Sequence, residues 1–233
     1  MRKADRRSLT RLATGGTTAG LLVAVTATGA QAAAPTFQVT QAAVLAALPG
    51  ASSFPPGVKL VGKAKDSKPL VDLPCGTAAH KVTFTGSTEV GAVYSTSSTG
   101  AASATDSVWT ISVAVFRDHT AAAAAEAKLV KAEVACSRVQ SETQGGVTAT
   151  LTRTVSALDT SEKGQWKGYR TVAHVTTSAS AKGARIFDTY FERGNVLVKV
   201  EEVAPLTPKG GAKQDLQRKT VTVATLTKLD AAG

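Results

Sequence analysis

The segment Val108–Phe116 constrains the fold of this chain more than any other part of the sequence. Alternate residues along it are apolar, as in a β-strand: Trp109, Ile111, Val113 and Val115. The residues between them include Val108, Ala114 and Phe116, so the other face of the strand is also partly apolar. A strand with apolar residues on both faces is covered on both sides. We therefore expect Val108–Phe116 to be a central strand rather than an edge strand.

The remaining patterns predict three helices separated by two runs of strands. The helices are expected at 41–48, 121–138 and 213–229, and the strands at 81–85, 89–96, 108–116, 147–158, 166–177, 184–193 and 196–203. The segment 52–74, which is rich in Pro, Gly and Lys, is typical of a surface connection. Because strands follow one another instead of alternating with single helices, an antiparallel sheet is favoured. We expect a single α+β domain whose sheet of six to seven strands has helices packed on one face.

Two of the helices carry apolar residues at helical spacing. In the middle helix these residues are Ala125, Leu129, Val130 and Val134. In the last helix they are Leu216, Val223 and Leu226. We expect both sets to face the sheet.

The first 32 residues have the pattern of a secretory signal peptide. Five basic residues precede a weakly apolar stretch at 12–27, and the small residues Ala30-Gln31-Ala32 follow at the position that a signal peptidase recognises. Arg6-Arg7 resembles a twin-arginine signal, and the export route stays open. Cleavage after Ala32 would lower the net charge from +10 to +6, because five basic residues and Asp5 leave with the leader. The domain at 33–233 is thus expected to be secreted, with no membrane anchor after cleavage.

Cys75 and Cys136 are the two cysteines of the chain. In an oxidising compartment a single disulfide between them is the natural interpretation. A metal site is the alternative, but neither cysteine has a second Cys or a His two to four residues away. We expect the disulfide, and no metal or other cofactor.

The sequence contains no motif typical of an enzyme: a phosphate-binding glycine loop, HExxH, CxxC and GxSxG are all absent. The three histidines are His80, His119 and His174, and a triad assembled in space stays an alternative because such triads have no fixed spacing. The lysines lie mostly in predicted loops without aromatic residues among them, which argues against nucleic acid as a partner. The first alternative function is that of a structural or interaction protein of the cell envelope that binds anionic wall polymers, and the second is that of an extracellular hydrolase with such a triad.

The dipeptide Gly194-Asn195 predicts a two-residue hairpin and fixes which residues of its two strands face each other. Tyr190 then lies opposite Lys199, and Asp188 opposite Glu201. Two facing carboxylates repel unless a cation lies between them, and Lys199 is diagonal to Asp188. Arg170 and His174 are expected on a neighbouring strand. Either these side chains are a solvated charge lattice, or they form one polar face that receives a small polar or anionic ligand. The candidate ligand-binding residues are Arg170, His174, Asp188, Tyr190, Lys199 and Glu201.

Several short segments between 38 and 230 resemble the PknH-like extracellular sensor domain of actinobacteria. They are Leu48-Pro49-Gly50, Pro74-Cys75-Gly76, the strand 112–117, Ala135-Cys136, Arg193-Gly194-Asn195-Val196 and the last helix. The resemblance implies a twisted antiparallel sheet with flanking helices and a cleft for an extracellular ligand. The family has four cysteines in two bridges, whereas this chain has one possible pair. The expected function is that of a secreted, non-catalytic, sensor-like or ligand-binding domain.

Overall fold

The strand pattern is realised in a computed structural model that describes residues 37–66, 70–72, 81–96, 107–136, 138–157, 165–178, 180–205 and 211–233. All of these residues fall in one unit, Pro35–Gly233. The predicted signal peptide at 1–32 lies outside the described residues, as does Cys75. Secretion and the Cys75–Cys136 disulfide therefore stay predictions. Among the described residues, no helix is long and apolar enough to cross a membrane.

The described residues form three α-helices and ten strands. The helices are α1 (Gln41–Ala47), α2 (His119–Val134) and α3 (Gly211–Asp230). The strands are β1 (Lys59–Asp66), β2 (Val71–Asp72), β3 (Val82–Thr83), β4 (Thr88–Ser95), β5 (Val108–Val115), β6 (Val139–Gln144), β7 (Val147–Ala157), β8 (Lys167–Thr177), β9 (Ser180–Arg193) and β10 (Val196–Pro205).

The main sheet of the described residues is antiparallel and has eight strands, in the order β1-β4-β5-β10-β9-β8-β7-β6. The α+β class and the interior position of β5 are confirmed, whereas the expected six to seven strands are too few. Three strands were missed: β1 and β6 in this sheet, and β2, which pairs with β3 in a separate two-stranded sheet. β1 lies in the segment predicted as a surface connection, and β6 pairs with β7 across Gly145-Gly146. Both glycines have positive φ, 57° and 77°, which a tight hairpin turn with its two central residues at positive φ requires.

The helices cover both faces of the sheet, so the expectation that they pack on one face is wrong. Val44 of α1 and Val221 of α3 pack against one face of β5, together with Trp109 and Ile111. Leu129 of α2 packs against the other face, together with Phe116 and other buried residues. The two-sided apolar character of β5 is explained by these two layers, because each face of the strand contacts a different set of helices.

The hairpin between β9 and β10 has the predicted register and also holds the first described residues. Asn195 accepts a hydrogen bond from the Val39 N–H at 2.8 Å and donates to the carbonyls of Val39 and Phe116, each at 2.9 Å. Gly194 has φ 56°, and a Cβ at this position would collide with the carbonyl oxygen of Phe37. The Gly-Asn pair therefore provides both the turn and the binding site for the N-terminal segment.

Candidate functional site

The predicted register of the β9–β10 hairpin brings four of the six candidate residues together. Asp188, Tyr190, Lys199 and Glu201 lie on the sheet face that packs against α2. The Lys199 Nζ lies 3.3 Å from the Asp188 Oδ1 and 2.9 Å from the Glu201 Oε2, so it is the cation between the two facing carboxylates. The ammonium group relieves the repulsion that the pairing of Asp188 with Glu201 creates.

Arg170 and His174 lie on the opposite face of the sheet, so a single face with all six residues is not formed. Arg170 pairs with Thr189 and His174 with Arg185 on β9, whereas Tyr169, the residue before Arg170, pairs with Tyr190. Side chains of successive residues in a strand point to opposite faces. The two residues are therefore on the α3 side, and the six candidates divide into two separate groups.

The lysine cluster consists of Asp72, Asp188, Tyr190, Lys199 and Glu201. Asp72 comes from β2 and was not foreseen: its Oδ1 lies 3.1 Å from the Lys199 Nζ, and its Oδ2 accepts a hydrogen bond from the Tyr190 hydroxyl at 2.6 Å. The Tyr190 ring stacks on Tyr169 with 4.8 Å between the ring centroids. These contacts attach the small β2–β3 sheet to the main sheet.

Burial and mutual repulsion set the protonation of the lysine cluster. Burial raises the pKa of Asp188 to about 7, Lys199 opposes the rise, and Glu201 and Asp72 add to it. Burial alone would lower the pKa of Lys199, but Asp188, Glu201 and Asp72 hold it well above its ordinary value. Burial also raises the pKa of Tyr190. Lys199 is thus charged, and this one cation contacts three carboxyl groups, those of Asp72, Asp188 and Glu201.

A second group of polar residues surrounds a cavity of about 350 Å³ between α3 and the sheet, which we call the helix-side cavity. Its wall contains Arg170, Thr189, Asp215, Arg218, Lys219 and Thr222. The side chain of Arg218 is only 5% exposed, and its Nη2 lies 3.4 Å from the Asp215 Oδ1. The guanidinium groups of Arg185 and Arg218 lie 4.0 and 4.6 Å from the centre of the Phe187 ring. Arg170 is thus part of a cationic site that the sequence indicated only by this one residue.

The charges around the helix-side cavity are incompletely balanced. Burial lowers the pKa of Arg218, and the neighbouring Arg170 lowers it further. Burial raises the pKa of Glu202, which lies on the same sheet face, to about 7, although Arg218 and Arg185 oppose the rise. Within the described residues, the Arg170 Nε, the Arg218 Nε and the Thr189 Oγ1 are buried without a hydrogen-bond partner. Buried polar groups without a hydrogen-bond partner destabilise the folded state and are rare in native proteins, so several of them around one cavity are unusual.

The cavity residues on α3 were missed because the predicted apolar faces of two helices were partly wrong. Leu216 is 64% exposed and Val223 39%, while Arg218, Val221, Thr222, Thr225, Leu226 and Leu229 are buried. In α2, Ala125 and Leu129 are buried as expected, but Val134 is 68% exposed. The spacing of Arg218, Thr222 and Thr225 places them on one helix face. A stripe of polar residues at this spacing was the available signal.

Two further cavities border the sheet. A groove of about 500 Å³ follows β1, β4 and β5, and its wall combines small or apolar residues with Lys63, Asp66 and Glu89. A cleft of about 480 Å³ at the end of α2 contains the buried pair Glu133–Arg153, whose charges offset each other at 2.6 Å. Buried atoms of Glu133, Arg153 and Tyr169 in this cleft also lack a hydrogen-bond partner among the described residues, but its buried arginine already has a buried carboxylate as its partner. In the described part of the chain, no group of three or more His, Cys, Asp or Glu side chains could hold a metal ion.

Comparison with solved structures finds similar folds in two mycobacterial proteins. The extracellular domain of PknH from Mycobacterium tuberculosis is 14% identical, with a TM-score of 0.44 over 81% of this chain and 92% of that chain. A putative uncharacterised protein from Mycobacterium smegmatis, a Rv0999 ortholog, is 13% identical, with a TM-score of 0.42 over 82% of this chain and 97% of that chain. No family model and no curated protein matches the chain. These similarities do not assign a family, and membership of the PknH-like family stays a prediction.

Proposed function

We propose that this chain is a non-catalytic, sensor-like domain that binds a small polar ligand in the helix-side cavity. The observation that carries the proposal is the set of buried polar atoms around this cavity that have no partner among the described residues, on Arg170, Arg218 and Thr189. Ligand sites are concave and contain a few converging polar groups. A bound ligand would supply the missing partners or rearrange these side chains to meet its own polar groups.

The lysine cluster is a weaker candidate for the ligand site. Its ammonium group already contacts three carboxylates, and the Tyr190 hydroxyl already donates to Asp72. The cavity beside it measures about 110 Å³, which is room for about four water molecules. We therefore assign a structural role to Asp188, Tyr190, Lys199 and Glu201, and the ligand-binding role to the group that contains Arg170.

Among the described residues, neither histidine is held in the way that a general base requires. His119 and His174 are exposed, and neither makes a hydrogen bond to another described residue. A histidine that acts as a general base is held by a second polar group and contacts the nucleophile. His80 lies outside the described residues.

The proposal includes secretion and a disulfide between Cys75 and Cys136. Cys136 lies just beyond the end of α2, beside the buried Glu133–Arg153 pair. Cys75 follows β2 by three residues in the sequence. A bond between them would attach the segment after β2 to the end of α2, close to the lysine cluster.

An NMR titration of the ¹⁵N-labelled protein tests the binding site with three probes of different charge: glucose, citrate and L-arginine. We expect at least one probe to cause saturable amide shifts that centre on Thr189 and Thr222. Leu216→Trp should weaken the binding, because Leu216 is exposed and lines the cavity. The matched control is Val223→Trp, an exposed residue of the same helix outside the cavity wall. Absence of saturable shifts at the cavity with every probe would refute the proposal.

A further inference from the structure

The side chains of the helix-side cavity carry more positive than negative charge. Arg170 and Arg218 lie in its wall, and Arg185 lies beside it, 3.9 Å from Asp215. Among the described residues, Asp215 and Glu202 are the carboxylates that act on the charge of Arg218. Asp215 is about half exposed, so water weakens its attraction to the arginines. The excess of cationic groups favours an anionic ligand over a neutral or cationic one.

Arg218 is the group best placed to bind such an anion. Its guanidinium has five N–H donors, and its closest carboxylate oxygen in the described residues is at the long distance of 3.4 Å. The proximity of Arg170 makes the positive charge of Arg218 less favourable, and a bound anion would relieve this repulsion. Guanidinium groups match the oxygen geometry of carboxylate, sulfate and phosphate.

Glu202 lies on the same sheet face as the cavity but is not part of its wall, and its charge acts on the same arginine. It is 2% exposed, and one carboxyl oxygen, Oε2, has no hydrogen-bond partner among the described residues. The charged groups that face it are Arg218 and Asp215 from α3 and Arg185 from β9, while its neighbour on β5 is Trp109, which does not titrate. An ionised Glu202 attracts Arg218 and repels an incoming anion, whereas a protonated Glu202 does neither.

We propose that the helix-side cavity binds a small oxyanion, and that Glu202 takes up a proton when the anion binds. This inference rests on the proposed function, since it names the ligand class of the same cavity. Its physical basis is linkage: a group that repels the ligand only when ionised holds its proton more tightly in the complex. The rise in the pKa of Glu202 to about 7 places the effect near neutral pH.

Sulfate is the suitable probe because it stays doubly charged between pH 5.5 and 8.5. Calorimetric titrations at constant ionic strength should give an affinity about three- to tenfold higher at pH 6 than at pH 8, within the tenfold limit per pH unit for one linked proton. At pH 8 the measured heat of binding should include the ionisation enthalpy of the buffer, because the buffer releases the proton that the protein takes up on binding. Glu202→Gln should bind sulfate at all pH values as the native protein does at pH 6.

Two further variants separate a specific site from general attraction to a basic protein. Arg218→Lys keeps the charge but loses the forked donors, and should weaken sulfate binding at least tenfold. Arg117→Gln removes an exposed cation elsewhere and should leave the affinity unchanged. An equal loss of sulfate affinity in both variants would refute the proposed binding site.

The outcomes distinguish this inference from the proposed function. If glucose or L-arginine binds in the cavity and sulfate does not, the proposal of an oxyanion ligand is wrong, but the proposal of a ligand-binding domain is kept. If sulfate binds with the same affinity at pH 6 and pH 8, the proton coupling is wrong. If Glu202→Gln does not fold, the buffer dependence of the heat with the native protein still decides the coupling. If no probe binds, both proposals fail.

Discussion

Replacement of Lys199 by methionine removes the single cation from the lysine cluster and keeps most of the apolar volume of the side chain. Asp72, Asp188 and Glu201 then lose the ammonium group that all three contact. Glu201 is 28% exposed and can turn towards water, and the pKa of Asp188, about 7 with Lys199 present, rises further without the lysine, so that Asp188 takes up a proton. The main loss comes from Asp72, whose side chain is 10% exposed. Loss of one partner of a buried ion pair costs about 3–5 kcal/mol. The Tyr190 hydroxyl still donates a hydrogen bond to Asp72, so we expect the free energy of unfolding to fall by about 3 kcal/mol at pH 7.5, the lower end of that range.

The assay is urea unfolding followed by tryptophan fluorescence, since Trp109 and Trp166 are both buried. At pH 5 Asp188, whose pKa is about 7, is protonated with or without Lys199, so the loss of stability should shrink to below about 2 kcal/mol. Lys65→Met, on the exposed strand β1, is the matched control and should change stability by no more than about 0.5 kcal/mol. A loss below about 1 kcal/mol at pH 7.5, or an equal loss at both pH values, would refute this account of the cluster.

Three further predictions concern other parts of the molecule. Asn195→Ala removes three buried hydrogen bonds and should lower the free energy of unfolding by about 2–4 kcal/mol in the same urea assay; a loss below about 1 kcal/mol would contradict this. Because burial raises the pKa of both Asp188 and Glu202 to about 7, the folded chain holds their protons more tightly than the unfolded chain does. The contribution of these two groups to stability is therefore fully present below the ordinary carboxyl pKa and should be lost as the pH rises from about 4 to 7, by up to about 1.4 kcal/mol per pH unit for each group. Asp188→Asn and Glu202→Gln together should flatten the pH dependence measured by thermal unfolding. Finally, thiol titration of the oxidised, denatured protein should detect no free thiol, and Cys136→Ser should lower stability by about 2–4 kcal/mol; two reactive thiols would exclude the Cys75–Cys136 bond.

Local patterns predicted the centre of the sheet correctly. Gly194-Asn195 determines the register of β9 and β10, and from this register follow both the facing carboxylates Asp188 and Glu201 and the position of Lys199. The turn acts over two residues, so nothing distant in the chain is needed to derive these contacts. The alternation in β5 likewise indicated a strand with neighbours on both sides.

The face of the sheet occupied by Arg170 and His174 could not be derived in the same way. No two-residue turn signal indicates how β8 pairs with β9, in contrast to Gly194-Asn195 between β9 and β10. A register that differs by one residue moves every side chain of a strand to the other face. The irregularity between Val175 and Thr177 displaces the pairing by two residues and leaves the faces unchanged. The face of β8 was therefore assigned without a turn to determine it, and Arg170 was grouped with residues of the other face instead of with its neighbours on α3.

Asp72 and β1 were missed because their positions depend on contacts distant in sequence. β2 has two residues, and Asp72 reaches the cluster through partners more than a hundred positions away. The residues of β1 are all exposed, so the strand has no apolar alternation by which to recognise it. Its existence depends on hydrogen bonds to β4 rather than on burial.

The contacts of Asn195 also bear on the order in which the molecule can fold. Val39 lies 156 positions before Asn195, and Phe37 at the start of the described chain contacts Arg193 and the C-terminal Gly233. Contacts between such distant positions form only after the intervening chain has been brought together, which slows folding. The ribosome must therefore release the segment through Gly233 before Phe37 can contact it, and until then the apolar side of the central strands is not covered by α3.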